Sequence, residues 1–329
     1  MKIGTDFSGI GSPEMALKYL EIDFKSVFAC EIDKYARQSF EQLHNTQTFY
    51  NDITTRNHKE VEQLDLYVAG FPCQSFSIAG KRKGFEELRG TLFFNVAEFI
   101  KDNQPKAFIL ENVKGLLNHD KGRTFQTIVD ILSNGGGTQN GQISLDMFED
   151  GLGYHIYWQV LNTKNYGIPQ NRERIFIVGF KDFRNFNFPK KMPLDLKLKD
   201  MLQDNPNSKY YLSDKVVADV LRLESSIQYN AQPVKLGSSE SFGGSIIIGK
   251  SNNSYCLLSS KIGAGVKINN RIRKLTPLEY WRLQGFKDKD FFSVKDVSES
   301  QLYKQAGNSI TVNVLMEMFK KIYGYNKQT

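Results

Sequence analysis

One cysteine, one carboxylate and two arginines stand where they could share a covalent reaction. Cys73 lies in Gly70-Phe71-Pro72-Cys73-Gln74-Ser75-Phe76-Ser77, directly after the apolar run 64–69. Such a run reads as a buried strand, and loops that follow strands are where α/β sheets place chemistry. A thiolate is a strong nucleophile even when sparsely ionised, which makes Cys73 a candidate for covalent catalysis. On the loop alone the alternative is a small buried hydrophobe, as most free cysteines are. Glu111, in Leu110-Glu111-Asn112-Val113, ends another strand. In a pocket that desolvates it, its pKa rises and it can donate a proton at neutral pH. Arg172 and Arg174, in Gln170-Asn171-Arg172-Glu173-Arg174, alternate along an extended segment and so face one side. They can stabilise a thiolate, bind a phosphate or hold a pyrimidine carbonyl. Taken singly, Glu111 or Arg172 reads equally as a member of a structural ion pair.

A second constellation opens the chain. Asp6-Phe7-Ser8-Gly9-Ile10-Gly11-Ser12-Pro13-Glu14 reads as strand end, glycine turn and helix start. Glycines let a ligand approach the backbone where a Cβ would clash. Glu14 stands where a dinucleotide fingerprint has its third glycine, so a pyrophosphate site is disfavoured. Glu31, at the end of the second strand, is placed to accept hydrogen bonds from ribose hydroxyls. Asp52 and Ile53 follow a further candidate strand, placed to contact an adenine ring. Carboxylates without phosphate donors suit a cationic nucleoside such as S-adenosylmethionine.

The elements that must position these residues alternate. Strands are expected over 2–7, 26–30, 64–69, 106–110, 155–161 and 175–180, and helices over 13–20, 34–43, 91–103 and 124–132, with Asp33 an N-cap. Alternation implies an α/β fold with a doubly wound, mostly parallel sheet. From about 183 to 270 the rhythm gives way to Pro, Asn, Ser and Gly clusters around short β-like runs such as 245–248, which reads as a small, irregular, partly β domain. Helical spacing returns over 277–284 and 312–322. The glycine-rich stretch 133–141 reads as a surface-loop insertion.

With 329 residues, 40% of them hydrophobic, the chain can bury the core of one large domain, or of one large and one small. No apolar run reaches membrane-spanning length and no signal-peptide pattern opens the chain, so a soluble, intracellular protein is expected. Three cysteines without a CxxC pair argue against a disulfide framework and a zinc site. The net charge is +7, and residues 181–275 hold 16 Lys and Arg against 8 Asp and Glu, so the excess sits there. A basic segment beside a near-neutral remainder fits a polyanion-gripping module or a solvated lysine-rich surface.

Over nearly its whole length, and in the family's order, the sequence resembles the DNA cytosine-5 methyltransferases of compact prokaryotic or phage restriction–modification type. The matching segments are Phe7-Ser8-Gly9-Ile10-Gly11, Glu31, Asp52-Ile53, the Cys73 loop with Arg89-Gly90-Thr91-Leu92-Phe93-Phe94, Glu111-Asn112-Val113, Gln170 to Arg174, Arg273-Lys274-Leu275-Thr276-Pro277-Leu278-Glu279, and Gly307-Asn308-Ser309.

The resemblance implies a Rossmann-like catalytic and S-adenosylmethionine-binding domain (1–182), a β-rich target recognition domain (183–272), a hinge and return segment (273–302) and a C-terminal helix that completes the catalytic domain (303–329). It implies that Cys73 adds to C6 of a flipped-out cytosine, that Glu111 engages N3, that Arg174 holds O2 and that Arg172 orients the Cys73 loop and Glu111. Cofactor contacts are expected from Phe7, Gly9, Gly11, Glu31, Ile32, Asp52, Ile53, Pro72, Leu92 and Asn308. Many members carry tryptophan where Ile32 stands. DNA contacts are expected from Lys81, Arg82, Lys83 and Arg89 on the loop, which would close as a lid, and among base readers from Arg222, Gln228, Asn252, Asn253 and Lys261. No metal is implied. The partners implied are double-stranded DNA and a cognate restriction endonuclease, for a monomer in the cytoplasm associated with the nucleoid. Two other readings are a transfer-RNA cytosine-5 methyltransferase and a catalytically inactive DNA-binding relative. The RNA branch carries a Cys-Phe-Thr signature, whereas here Tyr255-Cys256-Leu257 is the nearest counterpart.

Overall fold

A computed structural model describes residues 1–72, 92–133, 151–213, 232–235, 247–248, 253–254, 257, 264–268 and 271–324. The main sheet has seven strands: β1 (Lys2–Asp6), β2 (Lys25–Cys30), β3 (Thr48–Tyr50), β4 (Leu66–Ala69), β5 (Ala107–Val113), β6 (His155–Asn162) and β7 (Glu173–Phe180), in the order β3-β2-β1-β4-β5-β7-β6. The first five run parallel. β7 runs antiparallel to both β5 and β6. The order reverses beside β1, and that switch point is where open α/β sheets bind ligands.

Side chains alternate across the sheet and feed two cores. Leu66, Val68, Ile109 and Val178 pack on one face against α1 (Ser12–Tyr19) and α8 (Val312–Tyr323). Tyr67, Phe108, Leu110 and Ile177 pack on the other, with Phe93, Val96 and Phe99 of α3 (Leu92–Asn103) and Ile128 and Ile131 of α4 (Arg123–Leu132). Each large side chain buried this way stabilises the fold by roughly 1.5–3 kcal/mol. Asp33 caps α2 (Lys34–Leu43), its Oδ1 accepting from the N–H groups of Tyr35 and Ala36.

A second sheet joins β8 (Gln232–Lys235), β9 (Ile247–Ile248), β10 (Ala264–Ile268) and β11 (Arg271–Lys274), all antiparallel, in the order β11-β10-β8-β9. The chain returns through α5 (Pro277–Leu283), α6 (Asp288–Ser293) and α7 (Glu299–Asn308). Thr276 and Glu279 form a capping box on α5, and the Glu279 carboxylate also grips Arg273 at 2.7 and 2.8 Å, both side chains buried. Periodicity leaves α6 and α7 unassigned, while the candidate strand before Asp52 is the three-residue β3. Where a single closing helix is expected from 303, Ser309-Ile310-Thr311 in extended conformation separate α7 from α8, with Thr311 at the N-cap.

Candidate active site

Because β7 runs against β5, its first residues lie beside the last residues of β5. Val113 pairs with Arg174, which places Glu111 and Arg174 diagonally on one face. Arg174 Nε lies 3.0 Å from Glu111 Oε1, and its Nη1 donates to the Glu173 carbonyl at 2.8 Å. Glu111 is only 8% exposed. Burial holds its carboxyl above the ordinary range, and Arg174 and then Arg172 oppose that rise. β4 ends beside it: a Cβ built on Gly70 would stand 3.4 Å from Glu111 Oε2. Buried Asn112 donates to the Phe71 carbonyl at 2.9 Å, fastening the approach to the Cys73 loop onto β5. Cys73 itself lies outside the described residues, as do Lys81, Arg82, Lys83, Arg89, Arg222, Gln228, Asn252, Lys261 and the glycine-rich stretch from Gly135 to Gly141.

Arg172 precedes β7 and is 3% exposed. It donates to the carbonyls of Leu257, Gly307 and Ser309 at 3.0, 3.1 and 3.0 Å. The two arginines therefore differ in partners: Arg174 pairs with Glu111, whereas Arg172 ties the residues before β7 to Leu257 and to the end of α7, and reaches Glu111 through its charge. The same stretch holds a strap from the basic segment. Asn171 N donates to Ser254 O at 2.8 Å, Ser254 N to Pro169 O at 2.7 Å, and Leu257 N to Gln170 Oε1 at 3.1 Å. Asn253, beside that strap, is half-buried.

Seven of the cofactor candidates, Phe7, Gly9, Gly11, Glu31, Ile32, Asp52 and Ile53, gather at the ends of β1, β2 and β3. Phe7 and Gly9 have φ of 53° and 54°, and the space a Gly9 side chain would take is open. At Gly11, φ 78°, a Cβ would stand 2.4 Å from the buried His44 ring. Glu31 Oε2 accepts from Gly9 N at 2.9 Å and Oε1 from Asp33 N at 2.8 Å. Burial pushes the Glu31 pKa up against these two bonds. Glu31 N donates to Tyr50 O at 3.1 Å, which brings the Asp52 turn alongside. Asp52 is half-buried, Ile53 buried, and Ile32 73% exposed. Pro72 and Leu92 are half-buried, and Asn308 is exposed at the end of α7.

These residues fit a cationic adenosine compound. They offer open space at Gly9, two carboxylates and apolar surface at Ile32, with no basic side chain among them. Buried Glu14, its pKa pushed up to about 7 by desolvation, occupies the first turn of α1, where a pyrophosphate needs donors. Asn112, Asp6, Arg56 and Tyr67 also belong to this region. Asn112 could be found as the neighbour of Glu111, but nothing in the sequence links Arg56 to Asp6, 50 residues away. Among the described residues no His, Cys, Asp and Glu group could hold a metal ion, and no helix is long and apolar enough to cross a membrane.

Comparisons with known proteins bear on the family and the fold. The family described as C-5 cytosine-specific DNA methylase matches residues 1–324. The Type II methyltransferase M.NgoBI of Neisseria gonorrhoeae is 40% identical over 322 residues, covering 96% of this chain and 90% of that protein. M.HpaII of Haemophilus parainfluenzae, also named a Type II methyltransferase, is 38% identical over 335 residues, covering 96% and 87%. Among solved structures, the S. pombe Dnmt2 methyltransferase superposes with a TM-score of 0.69 at 18% identity, covering 97% of each chain. Entamoeba histolytica EhMeth gives 0.67 at 16% identity, covering 98% of each. At such identities the structures attest the fold, while the full-length family match attests the kinship: the chain belongs to the C-5 cytosine-specific DNA methylase family.

Proposed function

We propose that the protein transfers a methyl group from S-adenosylmethionine to C5 of a cytosine flipped out of duplex DNA, through a covalent bond between Cys73 and C6. The observation that carries the reading is Glu111: a buried carboxyl, its pKa raised by burial, paired with Arg174 and lying against Gly70, the residue that opens the Cys73 loop. C5 of cytosine is too weak a nucleophile unaided. Cys73 Sγ adds to C6 as Glu111 hydrogen-bonds or protonates N3, so the ring becomes an enamine with electron density at C5. Arg174 holds O2 of the base while buttressing Glu111. Arg172, gripping Leu257, Gly307 and Ser309, holds the strap and the end of α7 to the catalytic strand. When bound, S-adenosylmethionine supplies an electrophilic methyl group. Loss of the C5 proton then expels the Cys73 thiolate and restores the ring. The duplex hides C6, so the base must leave the stack, and the loop from Gly70 to Gly90, with Lys81, Arg82, Lys83 and Arg89, is suited to closing over it.

Phe7, Gly9, Gly11, Glu31, Ile32, Asp52, Ile53, Pro72, Leu92 and Asn308 would hold the cofactor. The segment 183–272 would recognise the target, with 273–302 returning the chain to helices that complete the catalytic domain. A monomer acting beside an endonuclease of the same specificity completes the reading. The test is transfer of labelled methyl groups to duplex DNA and to transfer RNA, followed by nucleoside analysis. Label in 5-methylcytosine of DNA is expected, and label in RNA alone overturns the reading.

A further inference from the structure

Beneath the cofactor candidates lies a buried charge cluster that the proposed chemistry does not use. Asp6, at the end of β1, is 2% exposed, and Arg56 is 6% exposed. The guanidinium forks onto the carboxylate: Nη1 pairs with Oδ1, and Nη2 donates to Oδ2 at 2.9 Å. Tyr67 Oη, on β4, donates to the same Oδ2 at 2.5 Å. The guanidinium carbon also lies 4.5 Å from the ring centroids of both Phe28 and Phe99, which are 5.3 Å from each other. Well-packed hydrophobic residues often stabilise such a position as much as a buried ion pair does. The cluster therefore invites a reading in which its geometry matters.

Its connections supply one. Asp6 directly precedes Phe7 and the turn holding Gly9 and Gly11. Arg56 closes the turn that starts at Asp52, whose Oδ1 accepts from both Thr54 N and Thr54 Oγ1 at 2.8 Å, while Thr55 N donates to its carbonyl at 3.4 Å. The Asp52-to-Arg56 turn is thus internally bonded, and the fork on Asp6 is what fixes it to β1. A bidentate guanidinium–carboxylate pair sets orientation as well as distance.

We propose that Arg56 is a positioning residue for the cofactor, holding the Asp52-Ile53 turn in register with the glycine turn across the pocket without touching the ligand. This rests on the reading of the pocket as an S-adenosylmethionine site. The experiment measures calorimetric binding of S-adenosylhomocysteine to the full chain and to two variants, Arg56→Met, which removes the charge, and Arg56→Lys, which keeps the charge but loses the fork. Both variants are expected to bind roughly 10- to 100-fold more weakly, the scale on which outer partners orient a binding group. KM for the cofactor should rise more than kcat falls. Wild-type affinity in either folded variant, with only a lowered Tm, would show a purely structural fastening and overturn the inference. If Arg56→Met does not fold, Arg56→Lys decides. Failure of the unmodified protein to bind S-adenosylhomocysteine would instead overturn the site reading beneath it.

Discussion

Glu111 lies beside a guanidinium, and two opposed effects set its acidity. Desolvation favours the neutral acid, the charges of Arg174 and Arg172 favour the anion, and desolvation prevails. The rate of the chemical step should therefore fall as pH rises through the elevated pKa of Glu111. Glu111→Gln, with no proton to lose there, should show no such limb and be slower by about 100-fold or more in single-turnover assays. Arg174→Met removes the foremost opposing charge, so the limb should move to higher pH while the rate drops. At Ile32, 73% exposed beside the cofactor candidates, Ile32→Trp should tighten S-adenosylhomocysteine binding by several-fold, the worth of one added aromatic contact. Residue types marked Glu111 and Arg174 in the sequence, because acid and guanidinium at strand ends carry chemical meaning, and the structure sets the two 3.0 Å apart. The partners of Arg172 were not legible: Leu257, Gly307 and Ser309 offer backbone carbonyls, which every residue possesses.

Among the elements, the turn from β1 into α1 shows the cost of building a ligand site at a switch point. Glu14 is fully buried, accepts from Thr5 Oγ1 at 2.9 Å, and its Oε2 has no hydrogen-bond partner among the described residues. With its pKa near 7 in the fold against about 4.5 in the unfolded chain, the folded state holds the extra proton. Stability should therefore decline as pH rises from about 4.5 to 7, by on the order of 3 kcal/mol in all. Glu14→Gln should flatten that decline and raise Tm at pH 8, read by thermal melts across the range. Gly11→Ala combines a positive φ with a Cβ 2.4 Å from the His44 ring, and should lower Tm and weaken cofactor binding together. Alternation of strands and helices marked out most of the main sheet because long apolar runs and amphipathic helices announce themselves. The reversed direction of β7, which tertiary packing decides, does not. That reversal brings Arg174 to Glu111.

On the scale of the whole molecule, the strap at Ser254 and Leu257 and the Arg172 clamp join the second sheet's segment to the stretch before β7, and the buried Arg273–Glu279 pair ties β11 to α5. Because Lys and Arg outnumber acids twofold over 181–275, binding to duplex DNA should weaken at least ~10-fold between 50 and 200 mM salt, as counterion release requires. A salt-insensitive affinity would point away from a phosphate-gripping surface. The central claim is the bond from Cys73 to C6, and trapping it tests that claim most directly. Duplex DNA copied with 5-fluorodeoxycytidine still admits thiolate addition and methyl transfer. Its C5 fluorine cannot leave as a proton, so the thiolate cannot be expelled. Incubated with this DNA and S-adenosylmethionine, the protein should form a complex that survives denaturation, whose protein–DNA linkage peptide mass spectrometry maps to Cys73 and which Cys73→Ala does not form. Methylation of ordinary DNA by Cys73→Ala, or turnover by the unmodified protein with no trapped complex, would contradict it.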